Sequence, residues 1–118
     1  MSERSLGDKW AARERARGAF VLKLPAFVTS GIPDWLHVVS GEGIGLVEAK
    51  LAQGPRALAA YNPVQLTGAQ HFTLRMVGRH GGRAQVLVLA PEGFVVLDWQ
   101  ELDVPLSWRQ WFDRMEEF

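Results

Sequence analysis

A tight-turn signature between two apolar, β-prone runs constrains the fold of this chain more than any other feature of its sequence. The turn, residues 40–43 (SGEG), separates residues 34–39 from the longer run 44–51. A short glycine-rich turn of this kind joins adjacent antiparallel strands, because glycine readily adopts the positive φ angles that hairpin turns need. The two runs are therefore predicted to pair as a β-hairpin.

Three segments have the composition and the boundary residues of helices. Residues 5–17 are rich in Ala, Arg and Glu, with Ser5 as a possible cap and Gly18 just past the end. A second helix is predicted from Thr67, again a plausible cap, to about residue 79. Its inward face is expected to hold four apolar residues, namely Phe72, Met76, Leu74 and Val77. A final helix is predicted to begin at Ser107.

Short apolar runs predict three further strands, at residues 19–24, 84–89 and 94–97. With the helices, they give the order α-β-β-β-α-β-β-α. Helices alternating with strands predict an α/β domain, here with a central mixed five-stranded sheet flanked by helices and a C-terminal helix. The length of 118 residues suits one domain, residues 1–118.

Composition excludes several classes of protein. Apolar residues make up 47% of the chain, enough for a core, and there is no cysteine. Thiolate chemistry, cysteine-ligated zinc and iron–sulfur clusters are thereby excluded. No apolar run approaches the roughly 20 residues that cross a bilayer, and the N-terminus (MSERSLGDKW) lacks the apolar segment of a secretory signal. A soluble, cytoplasmic protein without a membrane partner is expected.

Charge is distributed unevenly along the chain although the net charge is zero. Residues 1–83 carry 11 Lys and Arg against six Asp and Glu, a net +5, and residues 84–118 carry two against seven, a net −5. A basic front can present a positive face to a polyanion such as DNA. Ordinary solvated charges explain the same asymmetry equally well.

The chemistry is carried by Asp34, after Pro33, and by Glu48-Ala49-Lys50 fourteen residues further on. Successive side chains of a strand point to opposite faces, so Glu48 and Lys50 emerge together. The predicted hairpin brings Asp34 near Glu48, and two adjacent carboxylates repel unless a cation lies between them. Mg²⁺, for which Mn²⁺ is expected to substitute, prefers such oxygen ligands, and the carbonyl of Ala49 can add another.

Metal, carboxylates and lysine together suit the hydrolysis of a phosphodiester. The metal would polarise the phosphate and activate a water, and Lys50 would stabilise the developing negative charge. The alternative is an edge-strand salt bridge between Glu48 and Lys50, with Asp34 as a turn residue. A bare ExK is weak evidence, but its combination with GIPD and with Gln70 on the next helix favours a nuclease.

The segments GIPDWLHVV, GIGLVEAKL and LTGAQ resemble the core of PD-(D/E)XK, restriction-endonuclease-like nucleases. The chain is most similar to archaeal-type Holliday-junction resolvases, some of them encoded by phages, and the small VRR-type nucleases share the same pattern. The resemblance implies metal ligands at Asp34 and Glu48, a catalytic Lys50, and Gln70 beside the site. It also implies a catalytic hydroxyl residue, Ser30 (or Thr29), in the loop before the aspartate.

The resolvases also place an acidic residue on the first helix, for which Asp8 is the better match and Glu14 the alternative. Basic residues expected to contact DNA phosphates are spread over the chain: Lys9, Arg13, Arg17, Lys23, Arg56, Arg75, Arg79 and Arg83. Arg56 is the most attractive of these, because it lies in a Gly- and Pro-containing loop. The three histidines have no metal-ligand spacing, and His37 is interpreted as a surface or hydrogen-bonded residue.

The resemblance further implies a homodimer, which supplies two sites for symmetric cuts in a four-way junction. The C-terminal aromatic stripe packs either on its own sheet or against a second subunit; it comprises Trp108, Trp111, Phe112, Met115 and Phe118. The leading hypothesis is a Mg²⁺-dependent resolvase acting in DNA recombination and repair. A VRR-like nuclease for flaps or nicks, and a catalytically silent DNA-binding module, are the alternatives.

Overall fold

A computed structural model describes residues 2–25, 31–52, 66–103 and 107–118, and the side chain of Trp108 lies outside this description. Within these residues the chain forms three α-helices, five strands and one 3₁₀ turn. In chain order they are α1 (Glu3–Ala16), β1 (Phe20–Lys23), β2 (Trp35–Val39), β3 (Gly43–Leu51), α2 (Gly68–Arg79), β4 (Arg83–Ala90), β5 (Gly93–Asp98), the 3₁₀ turn (Trp99–Glu101) and α3 (Trp108–Arg114).

The five strands form one mixed sheet in the order β1-β2-β3-β4-β5. The predicted hairpin is confirmed, since β2 and β3 pair antiparallel from Trp35 opposite Val47 to Val39 opposite Gly43. Strands β3 and β4 pair parallel, and α2 connects them, whereas the other neighbours are antiparallel. The chain therefore has the predicted α/β fold with a mixed five-stranded sheet.

The first helix begins earlier than predicted. Ser2 is its cap and accepts a hydrogen bond from the backbone N–H of Ser5 at 3.1 Å, while the hydroxyl of Ser5 accepts from the N–H of Ser2 at 3.1 Å. Ser5 is thus the third residue of a capping box rather than the cap, and the prediction for it was wrong. The helix ends as expected before Gly18, whose φ of 92° suits glycine.

Side chains of the sheet alternate between two apolar cores. One core lies under α1 and contains Leu6, Trp10, Val21, Trp35 and Val47. The other lies under α2 and α3; its buried residues include Leu74, Val86, Val88, Val95, Leu97 and Trp111. Because neighbouring residues of a strand face opposite cores, β3 places Val47 and Ala49 toward α1 and Glu48 and Lys50 toward α2.

The inward face of α2 differs from the prediction at one position. Leu74 is fully buried, but Phe72 is 65% exposed. The two residues differ by about 200° around the helix axis, since each residue turns it by about 100°, so both cannot face the sheet. Met76 and Val77 are partly buried, and Val77 packs against the core of Leu74.

The C-terminal stripe divides between core and surface. Trp111 is buried in the core of its own chain, whereas Phe112 is 44% exposed. Helix α3 ends at Arg114, after which the backbone of Glu116 pairs with that of Phe94. Phe118 then contacts the ring of Phe94 at 5.6 Å between centroids. Trp111 and Phe118 therefore pack in cis.

None of the helices in the described ranges combines the length and the apolar character that crossing a membrane requires.

Candidate active site

Strand pairing brings Asp34 to the end of β3. Asp34 immediately precedes β2, and because Trp35 pairs with Val47, the antiparallel register places Asp34 across from Glu48. The carboxylate oxygen Oδ2 of Asp34 accepts a hydrogen bond from the backbone N–H of Ala49 at 2.8 Å. This bond ties the start of one strand to the motif on the next.

Glu48 and Lys50 emerge on one face of β3, as predicted. Glu48 is only 4% exposed, which is unusual for a carboxylate on a strand. The ammonium Nζ of Lys50 lies 3.9 Å from Oε1 of Glu48. The structure therefore brings Asp34, Glu48 and Lys50 together at one end of the β2–β3 pair.

Gln70 completes the cluster from the other layer. It lies in the first turn of α2, and its side-chain Nε2 donates a hydrogen bond to Oε1 of Glu48 at 2.9 Å. Its Oε1 accepts from the backbone N–H of Thr67 at 3.0 Å, while the hydroxyl of Thr67 accepts from the N–H of Gln70. This capping box fixes which end of the amide points toward Glu48.

The environment of Glu48 disfavours its ionised form. Burial and, after it, the nearby Asp34 carboxylate raise the pKa of Glu48 to about 8, against the opposing effect of Lys50. A buried carboxylate beside a second carboxylate is stabilised in its charged state by a bound cation. The cluster therefore has the electrostatics of a cation site.

Glu3 is a member of this neighbourhood that the sequence analysis missed. Burial and the charge of Asp34 raise the pKa of Glu3, while Lys50 and Lys23 lower it, so its carboxylate lies within electrostatic reach of the cluster. Glu3 was overlooked because the helix was predicted to start at residue 5. The signal that could have found it is the Ser2 and Ser5 spacing of a capping box.

The two first-helix candidates of the sequence analysis differ in their positions relative to the cluster. Asp8 is exposed and lines, with Glu3, Lys23 and Ala49, a cavity of about 380 Å³ beside the cluster. Glu14 is no part of the site, because its carboxylate bonds His37 at 3.1 Å and Arg13 at 2.8 Å.

The donor set suits a hard divalent ion. Among the residues that the structure describes, no group of three or more His, Asp or Glu side chains is close enough to hold a metal. Two carboxylates, with the carbonyl of Ala49 and waters, nevertheless match the ligands that Mg²⁺ prefers, because it retains much of its hydration in proteins. Asp34, Glu48 and Ala49 would hold such an ion, and Glu3 could reach it through water.

Among the described residues predicted to contact phosphates, Lys23 contacts a member of the cluster. Its Nζ lies 3.6 Å from Oδ1 of Asp34 and 4.8 Å from the ring centroid of Trp35. Lys23 is therefore part of the site's charge balance as well as a candidate phosphate contact.

Apart from Arg83, the other described basic candidates either pair with carboxylates outside the cluster or are exposed. Arg13 is engaged by Glu14 and Glu116, and Arg75 by Asp103. Lys9, Arg17 and Arg79 are exposed. Ser30 and Arg56 lie outside the described residues.

Both ring nitrogens of His37 have hydrogen-bond partners, in line with its interpretation as a hydrogen-bonded residue, but the side chain is buried and not on the surface. Arg83 donates to its Nδ1 at 3.0 Å, so the ring proton lies on Nε2, which donates to Glu14. Burial, and then the charge of Arg83, lower the pKa of His37. His37 and Arg83 therefore have structural roles, and Arg83 also ties β2 to β3 through the carbonyls of His37 and Gly43.

No protein-family model matches this chain, and no curated protein sequence does either. Among solved structures it is similar to Hjc of Archaeoglobus fulgidus, a Holliday junction resolvase from an archaeal hyperthermophile. The similarity covers 96% of this chain and 94% of Hjc, with a TM-score of 0.68 and 14% sequence identity. This chain has the Hjc fold. That likeness covers the helices and the mixed sheet described above, and at this identity it concerns the fold alone.

Proposed function

We propose that this chain is a divalent-metal-dependent endodeoxyribonuclease that cuts branched DNA, with four-way junctions as its leading substrate. The observation that carries the proposal is the convergence of Asp34, buried Glu48 and Lys50 around one point at the end of β3. The likeness of the whole fold to a Holliday junction resolvase supports the choice of substrate.

In this proposal Asp34, Glu48 and the carbonyl of Ala49 hold Mg²⁺ or Mn²⁺, and Glu3 contributes charge through water. When bound, the ion supplies Lewis acidity toward the phosphate and lowers the pKa of water. Lys50 donates to the phosphate and stabilises the negative charge that develops when the water oxygen bonds phosphorus and the P–O bond to the leaving strand breaks. Gln70 holds the carboxylate of Glu48 in one orientation.

The proposal extends to a homodimer, because resolving a four-way junction takes two cuts in symmetry-related strands. Two copies related by a twofold axis place two identical sites on one junction. Lys23, Lys9, Arg17 and Arg79 are proposed to contact phosphates, and such contacts position DNA without reading its sequence.

The deciding experiment is cleavage of a synthetic four-way junction with and without Mg²⁺, with the cut positions mapped on all four strands. Flap, nicked and linear duplexes are compared at the same salt concentration, because phosphate contacts make every affinity salt-dependent. Symmetric, Mg²⁺-dependent cuts in the junction support the proposal. Preference for flaps or nicks would point to a VRR-like nuclease, and junction binding without any nicking would point to a silent binding module.

Variants of the site residues separate catalysis from binding. Asp34→Asn and Glu48→Gln are expected to abolish cleavage while leaving junction binding within a few fold of wild type. Lys50→Ala is expected to lower the rate by about 10² or more, since it removes charge stabilisation from the transition state. Full activity of the Asp34 or Glu48 variant would overturn the assignment of the site.

A further inference from the structure

Two lysines lie beside the carboxylates of the cluster at the end of β3. Nζ of Lys50 lies 3.9 Å from Oε1 of Glu48, and Nζ of Lys23 lies 3.6 Å from Oδ1 of Asp34. Each lysine comes from a different strand, Lys50 from β3 and Lys23 from the end of β1. Together the two ammonium groups carry the same charge as the one divalent cation that these carboxylates are proposed to hold.

The two lysines differ in how firmly they are held. The side chain of Lys50 is 22% exposed, and its partner Glu48 is buried. Lys23 is the last residue of β1, a strand at the edge of the sheet, and its side chain is 53% exposed. A lysine ammonium is a hydrated charge on a flexible four-carbon stem, so an exposed ion pair of this kind is weak and opens readily. Of the two lysines, Lys23 is therefore the one that can leave its carboxylate.

Lys23 lies at the oxygen of Asp34 that has the greater capacity for a metal ion. Oδ2 of Asp34 already accepts a hydrogen bond from the backbone N–H of Ala49 at 2.8 Å, whereas Lys23 lies beside Oδ1. A divalent cation and an ammonium group repel each other at the distance of two ligands of one oxygen. The metal and Lys23 therefore compete for Oδ1.

The surroundings of Lys23 favour this position of its ammonium group. Lys23 pairs with Trp35 across β1 and β2, and Nζ lies 4.8 Å from the centroid of the Trp35 ring. Trp35 is 3% exposed, so its ring is a fixed surface for a cation–π contact. Burial, and then the charge of Asp34, raise the pKa of Glu3, while Lys50 and Lys23 lower it. Lys23 is thus within electrostatic reach of Glu3 as well as Asp34.

We propose that Lys23 couples DNA binding to metal binding. Without DNA, its ammonium group competes with the metal for Oδ1 of Asp34; with DNA, it pairs with a phosphate and leaves Oδ1 to the metal. The inference rests on the proposed function, in which Lys23 contacts phosphates and Asp34 is a metal ligand. It adds that the site takes up metal more readily on its substrate than in the free protein.

The coupling has an expected size and is the same in both directions. An exposed ion pair of this kind changes an equilibrium constant by up to about fivefold. Removing the charge of Lys23 should therefore tighten metal binding without DNA by about three- to fivefold, and change it little when DNA is bound. Because coupling between two ligands is reciprocal, the metal should enhance DNA binding less in the variant by the same factor.

The first measurement is metal binding by the full chain without DNA. Mn²⁺ is titrated at fixed pH and ionic strength, and electron paramagnetic resonance reads the free ion. Lys23→Met keeps an unbranched stem over Trp35 and should lower the dissociation constant by about three- to fivefold. Lys23→Arg keeps the charge and should bind no more tightly than wild type. Lys9→Met is the matched control, because Lys9 is also a proposed phosphate contact but its Nζ lies 6.0 Å from the ring centroid of Phe118.

The second measurement is the affinity for a four-way junction with and without Mg²⁺. It is made in a Lys50→Ala background, in which cleavage is expected to be slow, and a denaturing gel checks that the DNA stays intact. Fluorescence anisotropy of a labelled junction gives the dissociation constant at matched ionic strength. The enhancement of binding by Mg²⁺ should be about three- to fivefold smaller with Lys23→Met than without it. Lys9→Met should weaken binding equally in both conditions.

Circular dichroism of each variant confirms that it is folded. Mn²⁺ binding by Lys23→Met that is no tighter than that of wild type overturns the coupling and leaves Lys23 as a phosphate contact alone. An unchanged enhancement of junction binding by Mg²⁺ in Lys23→Met overturns it too. Cleavage by a chain without the coupling would leave the nuclease proposal standing, whereas coupling without cleavage by wild type would overturn the nuclease proposal alone. Failure of wild type to bind Mn²⁺ would overturn the coupling together with the metal site.

Discussion

The carboxylate of Asp34 accepts a hydrogen bond from the backbone N–H of Ala49 at 2.8 Å, between the two charged residues of the ExK motif. This hydrogen bond uses Oδ2 of Asp34 and orients the carboxylate. The other oxygen, Oδ1, lies 3.6 Å from Nζ of Lys23. The bond holds Asp34 against the end of β3, beside the buried Glu48. A carboxylate positioned by a backbone donor keeps its place when its neighbour changes protonation, which is what a metal site needs.

Glu48→Gln should stabilise the metal-free fold at alkaline pH while abolishing cleavage. The pKa of Glu48 is raised to about 8 in the folded state, so the folded protein binds the proton more tightly than the unfolded chain. The stability that results is fully present below the unfolded pKa of 4.5 and is lost as pH rises through about 8. Above that pH the variant should melt about 4 °C or more above wild type, since it carries no buried charge.

The measurement is the melting temperature as a function of pH in the presence of a chelator. Glu117→Gln, at an exposed residue, is the control and should follow the wild-type curve. If the melting temperatures of wild type and Glu48→Gln depended equally on pH, the folded protein would not raise the pKa of Glu48.

Mg²⁺ should raise the melting temperature of wild type at pH 8 in the absence of DNA. A ligand that binds only the folded state stabilises it by about 2.7 kcal/mol at a hundred times its dissociation constant. Asp34→Asn and Glu48→Gln should lose most of this response, because each removes a charged ligand. Ca²⁺ and Na⁺ at matched ionic strength separate specific binding from screening; a response of equal size in all variants would argue against a metal at this cluster.

Gln70→Ala should reduce cleavage more than it reduces stability. The amide joins Glu48 to the cap of α2, and loss of such an orienting partner typically costs 10- to 100-fold in metal affinity or activity. Thr67→Ala is the matched variant, because it removes the helix cap, worth about 1 kcal/mol, yet leaves the amide in place. Gln70→Ala should therefore lower the cleavage rate well beyond what its loss of melting temperature explains. Thr67→Ala should lower the melting temperature but keep a cleavage rate near that of wild type.

Glu3→Gln should raise the Mg²⁺ concentration for half-maximal cleavage by about tenfold, whereas Asp8→Asn should leave it near wild type. Burial, and then the charge of Asp34, raise the pKa of Glu3, and the charge of Glu3 in turn raises the pKa of Glu48. Asp8, in contrast, is exposed. The effect corresponds to about 1.4 kcal/mol of electrostatic attraction. A metal titration of cleavage decides the matter, and a larger shift for Asp8→Asn would restore the residue chosen from the sequence.

Several features could be predicted from the sequence because the forces behind them act within a few residues. The glycine turn at 40–43, the alternation that places Glu48 and Lys50 on one face, and the cap at Thr67 are all local patterns. They were sufficient to predict the hairpin, the mixed sheet and the pairing of Asp34 with the ExK motif.

Tertiary structure decided what depends on residues distant in sequence. The hydrogen bond between Gln70 and Glu48 joins residues 22 apart, and Glu3 reaches Asp34 only because α1 packs across the sheet. Likewise, the exposure of Phe72 and Ile44 follows from where α2 comes to lie, over β4. Periodicity specifies that a face is apolar, but which element covers that face is set by the packing of the whole chain.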